Sequence, residues 1–105
     1  METENNMILV VDDDSFVAEM LAVILESDGF QVKTAGQGRE ALEKLHEFPE
    51  ICLVISDMNM PEMNGLELIE AIRGGNSDVP IIILTGNSQI SVAISALDKG
   101  ANDYL

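Results

Sequence analysis

The chain has 105 residues, 47% of them hydrophobic but only 4% aromatic, which suits one domain with an aliphatic core and leaves no room for a second. With 19 acidic and 5 basic side chains the formal net charge is −14, which repels nucleic acid and anionic membranes and argues against direct DNA contact by this segment. The single cysteine, Cys52, excludes an internal disulfide and a cysteine-based metal site, and no apolar run approaches the roughly 20 residues of a membrane-spanning helix.

Residues 1–6, METENN, are polar and lack the basic and apolar regions of a signal peptide, so they read as a flexible tail before a domain over 7–105, in a cytoplasmic protein. Met7 to Val11 is an apolar run too short for a helix and reads as a strand buried on both faces; Asp12, Asp13 and Asp14 end it. A helix starts near Ser15, with Phe16, Met20, Leu21, Ile24 and Leu25 as its apolar stripe, and stops at Asp28-Gly29. Residues 31–35 are a second strand. Ala41, Leu42 and Leu45 mark a second helix, with His46 solvated near its end. Residues 51–55 form a third buried strand, holding Cys52 as core filling and ending in Ser56 and Asp57. Pro61 and the Asn64-Gly65 pair then halt the strand and start a helix over 66–73. A fourth strand over 81–84, read like the first and third as buried on both faces, ends in Thr85 and Gly86, and a helix over 88–99 leads to a fifth strand over 103–105.

Alternating strands and amphipathic helices predict an α/β fold with a mainly parallel, doubly wound sheet. Parallel strands bring their carboxyl ends to one edge, where open α/β sheets bind ligands, so Asp12, Asp13, Asp57 and Thr85 converge. Carboxylates crowded there repel one another and must bind a cation or raise a pKa. Magnesium suits an all-oxygen set, whereas zinc would want His or Cys ligands. Asp14 reads as the helix cap instead. A carboxylate can act as nucleophile toward a phosphoryl group when a metal offsets the repulsion between the anions. Two readings stay open elsewhere: Thr85-Gly86 as a hydroxyl donor or a plain turn, and Met58, Met60 and Met63 as adaptable contact surface or loop packing.

VVDDDSF at 10–16, SDMNMPEMNGLEL at 56–68 and ILTG at 83–86 together resemble the receiver domain of two-component response regulators, over nearly the whole chain. The resemblance implies a flavodoxin-like sheet of strand order 2-1-3-4-5, with Asp57 as phosphoacceptor. It implies magnesium, replaceable by manganese, held by Asp13 and Asp57 directly, by Asp12 largely through water and by the backbone carbonyl of Asn59. It makes Thr85 the switch hydroxyl and Tyr104 the aromatic whose rotation accompanies it, although Tyr104 also reads as an ordinary strand aromatic. The implied partner is a sensor histidine kinase or phosphotransfer protein, and the domain is a signalling switch, not an enzyme acting on other substrates, although it catalyses its own phosphoryl transfer and loss.

Receivers of this family carry a lysine after the fifth strand's aromatic and a last helix over the sheet; the sequence stops at Leu105, before both. Three carboxylates against one divalent ion then leave one negative charge that the lysine would neutralise. The expectation is a protein that continues past Leu105, with a homodimer covering the sheet face as the alternative. A phosphorylation-independent interaction module on the same fold is the rival function. A haloacid-dehalogenase-like phosphatase is disfavoured because Asn59 stands where that family has its second acid. A flavin binder is disfavoured because Asp12 to Asp14 would repel its phosphate.

Overall fold

A computed structural model of the chain describes residues 6–75, 77–84 and 99–104. Its elements in chain order are β1 (Met7–Val11), α1 (Ser15–Ser27), β2 (Gln31–Ala35), α2 (Gly38–Glu47), β3 (Ile51–Asp57), α3 (Gly65–Gly74), β4 (Ile81–Leu84) and β5 (Asp103–Tyr104). The strands form one parallel sheet of order β2-β1-β3-β4-β5, the flavodoxin-like order expected. The expected strands and the first three helices are all present. Thr85, Gly86 and the predicted helix over 88–99, apart from Lys99, lie outside the described residues, as does Leu105.

Local chemistry sets the boundaries. Asp14 caps α1, its carboxylate accepting the N–H groups of Phe16 at 3.0 Å and Val17 at 3.3 Å. Asn64 and Glu67 form a capping box at the start of α3: the Asn64 side chain accepts from Glu67 N and the Glu67 side chain accepts from Asn64 N, both at 2.9 Å. Two orphan donors are thereby satisfied right after the loop that follows Asp57.

The core lies in two layers. On one face of the sheet α2 and α3 bury Leu9, Val11, Ala41, Val54, Leu68, Ile69, Ile72, Ile81 and Ile83. On the other, α1 sets Ala18 against Ile8 and Val10, with Leu21 and Leu25 alongside. Two expectations need correction here. The side of α1 that meets the sheet is Ala18, Leu21 and Leu25, while Phe16, Met20 and Ile24, together with Val23, are exposed, Phe16 at 68%. The helix is apolar on two sides, and the small Ala18 decides which one approaches the strands. Burial on both faces also holds only for β1; β3 and β4 alternate buried with half-buried positions, Leu53 and Ile55 among the latter, on the face that only α1 covers among the described residues.

Candidate functional site

The register of the sheet builds the site. Val11 stands opposite Ala35 on one side and Ser56 on the other, so Asp12 leaves β1 beside Asp57, the last residue of β3, which in turn pairs with Leu84 of β4. Asp12 N–H donates to Ala35 O at 3.0 Å, and Met58 N–H to Leu84 O at 3.2 Å, so the backbone on both sides is tied to a neighbouring strand. Ser56, wholly buried, donates its hydroxyl to Asp57 O at 2.9 Å.

One carboxylate oxygen from each of Asp12, Asp13 and Asp57 lies within 4.8 Å of the others. Asp12 is buried, Asp57 half-buried and Asp13 exposed. The Asp12 carboxylate accepts the N–H of Asp14 at 2.9 Å, which fixes its orientation while Asp14's own carboxylate turns to the helix cap. Burial is the main cause that pushes the Asp12 carboxyl above the usual range; the Asp14 N–H opposes it and the charges of Asp13 and Asp14 add to it. Asp57 is pushed up in the same way, first by burial, then by the charge of Asp12, against the N–H groups of Asn59 and Met58 that favour its ionised form, with Asp13 adding a smaller upward push. The set therefore holds negative charge at a cost that a divalent cation would relieve. Its all-oxygen character fits magnesium, and among the described residues no His or Cys completes a softer set.

In the loop after Asp57 the methionines turn inward while Asn59, Pro61, Glu62 and Asn64 face solvent. Met58 and Met60 are buried and Met63 packs on the core, so of the two readings open for these methionines the packing one fits. A Cβ on Gly38 would come within 2.5 Å of Met63 Sδ, and one on Gly65 within 2.9 Å of Met58 Cα and 3.0 Å of Asp57 O. Both glycines let the loop close onto α2 and α3. Glu62 takes φ +68° and is bridged by Met63 N–H to Pro61 O at 2.7 Å, a strained positive-φ γ-turn. Nothing in the sequence marked it, since no glycine stands at that position.

Of the residues singled out from sequence, Asp12, Asp13 and Asp57 come together. Asn59 is exposed, two residues beyond Asp57, with its N–H on the Asp57 carboxylate. The backbone of Tyr104 pairs with Ile83 in β5; its side chain, like Thr85, is outside the described residues. His46 is exposed on α2, and Cys52 is half-buried with its thiol donating to Met7 O at 3.3 Å. No helix among the described residues is long and apolar enough to cross a membrane.

The family model described as response regulator receiver domain matches residues 8–105. The chain is 39% identical over 106 residues to the DNA-binding response regulator MtrA of Mycobacterium bovis, covering all of this chain and 45% of that protein. It is 42% identical over 98 residues to the response regulator MprA of Mycobacterium tuberculosis, covering 93% of this chain and 42% of the relative. It thus spans less than half the length of these curated relatives. Among solved structures it resembles a response regulator receiver domain protein of Clostridium thermocellum, with a TM-score of 0.88 and 37% identity over 94% of this chain and 79% of the other. A response regulator receiver protein of Pseudomonas putida has a TM-score of 0.91 and 31% identity over 99% and 87% of the two chains.

Proposed function

The chain belongs to the response regulator receiver domain family, and from that premise we propose that residues 7–105 form a switch in which Asp57 accepts a phosphoryl group. The observation that carries the proposal is the meeting of carboxylates from two separate strands within 4.8 Å. Asp13 and Asp57 would hold magnesium directly, Asp12 largely through water, and Asn59 would add its backbone carbonyl; manganese meets the same oxygen preference. When bound, the ion offsets the charge repulsion between the carboxylates and an incoming phosphoryl group.

The residues of the chain do the rest. A carboxylate oxygen of Asp57 attacks the phosphorus of a phosphohistidine on a sensor kinase or phosphotransfer protein, the O–P bond forms, the N–P bond breaks, and the imidazole leaves with the electron pair. The N–H groups of Met58 and Asn59 orient the Asp57 carboxylate and favour its ionised form against the upward push of burial. Thr85 then donates its hydroxyl to the new phosphoryl group and Tyr104 follows, which alters the partner-binding surface next to β5. Water ends the signal by hydrolysing the acyl phosphate, so the domain catalyses only its own loading and unloading. A phosphohistidine donor supports a cytoplasmic location for the protein. With a net charge of −14 this segment makes no direct contact with DNA.

Acetyl phosphate with magnesium, read by intact mass and peptide mapping, tests the proposal. One phosphoryl group is expected on Asp57, absent when EDTA replaces magnesium and absent in Asp57→Ala. An unmodified wild-type protein overturns it and favours a phosphorylation-independent module, whereas an adduct that persists in Asp57→Ala overturns Asp57 as the acceptor.

A further inference from the structure

Arg73, in the last turn of α3, is half-buried and among the described residues bonds to oxygens of the backbone and of one amide. Its Nε and one Nη donate to Gly100 O at 3.0 and 2.7 Å, and the same Nη reaches Asn102 Oδ1 at 3.0 Å. The other Nη donates to Ser77 O at 3.0 Å and Val79 O at 2.7 Å. The planar fork thus joins the end of α3 to the segment entering β4 and to the turn entering β5, a geometry that lysine's single ammonium does not reproduce. Asn102 continues the tie: its Oδ1 also accepts Ile81 N–H at 2.8 Å, and its own N–H donates to Ile81 O at 2.8 Å. Gly100 fits for two reasons, a φ of +119° and a Cβ position only 3.0 Å from Arg73 Cγ. One turn earlier on α3, Glu70 pairs with Lys99 at 2.9 Å.

The strand held in this way is two residues long, with Asp103 opposite Ile82 and Tyr104 opposite Ile83. So short a ladder has little register information of its own. The other end of α3 sits on the acceptor strand, where Gly65 N–H donates to Met58 O at 2.8 Å and the helix backbone approaches Asp57 O. Between the two ends Leu68, Ile69 and Ile72 are buried in the core, so the helix is anchored along its length.

We propose that Arg73 is a positioning residue that sets the register of β5, so that α3 acts as a strut carrying displacements of the acceptor loop to the strand bearing Tyr104. The second half of this proposal rests on Asp57 being the acceptor; the first half does not.

Amide hydrogen exchange on the intact chain tests the register. In Arg73→Gln the Ile81 and Asn102 amides are expected to exchange about tenfold faster or more, while those of Leu9 and Val54 keep their rates. Arg73→Lys falls between Arg73→Gln and wild type. Equal acceleration of all four amides, or none, overturns the clasp. Should Arg73→Gln fail to fold, Asn102→Ala removes the shared acceptor and leaves the other Arg73 bonds, with the same local pattern expected. Asn102→Asp keeps the acceptor and is expected to exchange no faster than wild type.

The strut is tested by tyrosine fluorescence, because the chain has one tyrosine and no tryptophan. Beryllofluoride with magnesium is the probe, and fluorine NMR counts the bound adduct. Arg73→Gln is expected to bind the adduct like wild type yet lose most of the fluorescence change. An undiminished change refutes the strut. If wild type itself binds no beryllofluoride, the failure lies with Asp57 as acceptor and the coupling falls with it, while the exchange result still decides the clasp.

Discussion

Asp57→Asn should make the metal-free protein more stable while removing its capacity to accept a phosphoryl group. The Asp57 carboxylate shares a space of 4.8 Å with those of Asp12 and Asp13. Two like charges at that distance repel by about 1 kcal/mol in a water-like medium and by about 3.5 kcal/mol at an effective dielectric of roughly 20. Asp13 is exposed and belongs near the lower figure; Asp12, 7% exposed, belongs nearer the upper. The Asp12 and Asp57 carboxyls already lie above their usual range and shed part of the repulsion by binding protons, which reduces the gain. The amide oxygen of Asn still accepts the Met58 and Asn59 N–H groups, so little is lost on that side. We expect a net stabilisation of about 1 to 3 kcal/mol, or at least about 4 °C in melting temperature for a domain of this size. Thermal melts in EDTA at neutral pH measure it, and a magnesium titration supplies the complement: wild type should gain more from the ion than the variant. A variant that melts at or below wild type in EDTA would show that the cluster does not carry the repulsion assigned to it.

The same cluster sets a pH dependence. Asp12 and Asp57 have folded-state pKa values above their unfolded ones, so the native state binds more protons; their contribution is full below about pH 4 and is lost as pH rises through the folded values. Metal-free wild type should therefore lose stability from mildly acid to neutral pH, and Asp12→Asn should flatten that slope; equal slopes in melts across pH would contradict the shifts. Glu62→Gly should stabilise the fold by about 0.5 to 1 kcal/mol, because glycine adopts the positive φ without steric cost; a lower urea midpoint than wild type would mean the turn is not strained. On α1, Met20→Gln should change stability by no more than about 0.5 kcal/mol, whereas Ala18→Leu should cost about 1 to 3 kcal/mol by overpacking against Ile8 and Val10. The reverse ranking in urea denaturation would mean that α1 meets the sheet through its other side.

Much of this architecture was legible because strands and helices leave different periods. The Ile, Val and Leu runs at β1, β3 and β4 were too short for helices, and parallel pairing followed from the helices between them. The meeting of Asp12, Asp13 and Asp57 followed as well, since strand-end residues of a parallel sheet share an edge. Hydropathy did not say which apolar side of α1 faces inward, because Phe16, Met20 and Ile24 are as hydrophobic as Leu21 and Leu25; the small Ala18 decided it. Nor did it mark Glu62, whose backbone is forced by closure of the loop between Asp57 and α3. Arg73 and Asn102 escaped notice for a third reason: their partners are mostly backbone groups, oxygens for Arg73 and the N–H and C=O of Ile81 for Asn102, which any residue supplies, so no spacing of side-chain types encodes them.

The placement of β1 bears on how the chain is made. This first strand, buried at all five positions, sits in the interior of the sheet between β2 and β3. On a ribosome it emerges before either neighbour, and its second edge stays open until residues 51–57 arrive. Through that interval an Ile- and Val-rich ladder is available for pairing with other nascent chains. Asp12, Asp13 and Asp14 follow it directly, so the carboxylates at the candidate phosphoryl site also set like charges against an incoming copy of the same strand.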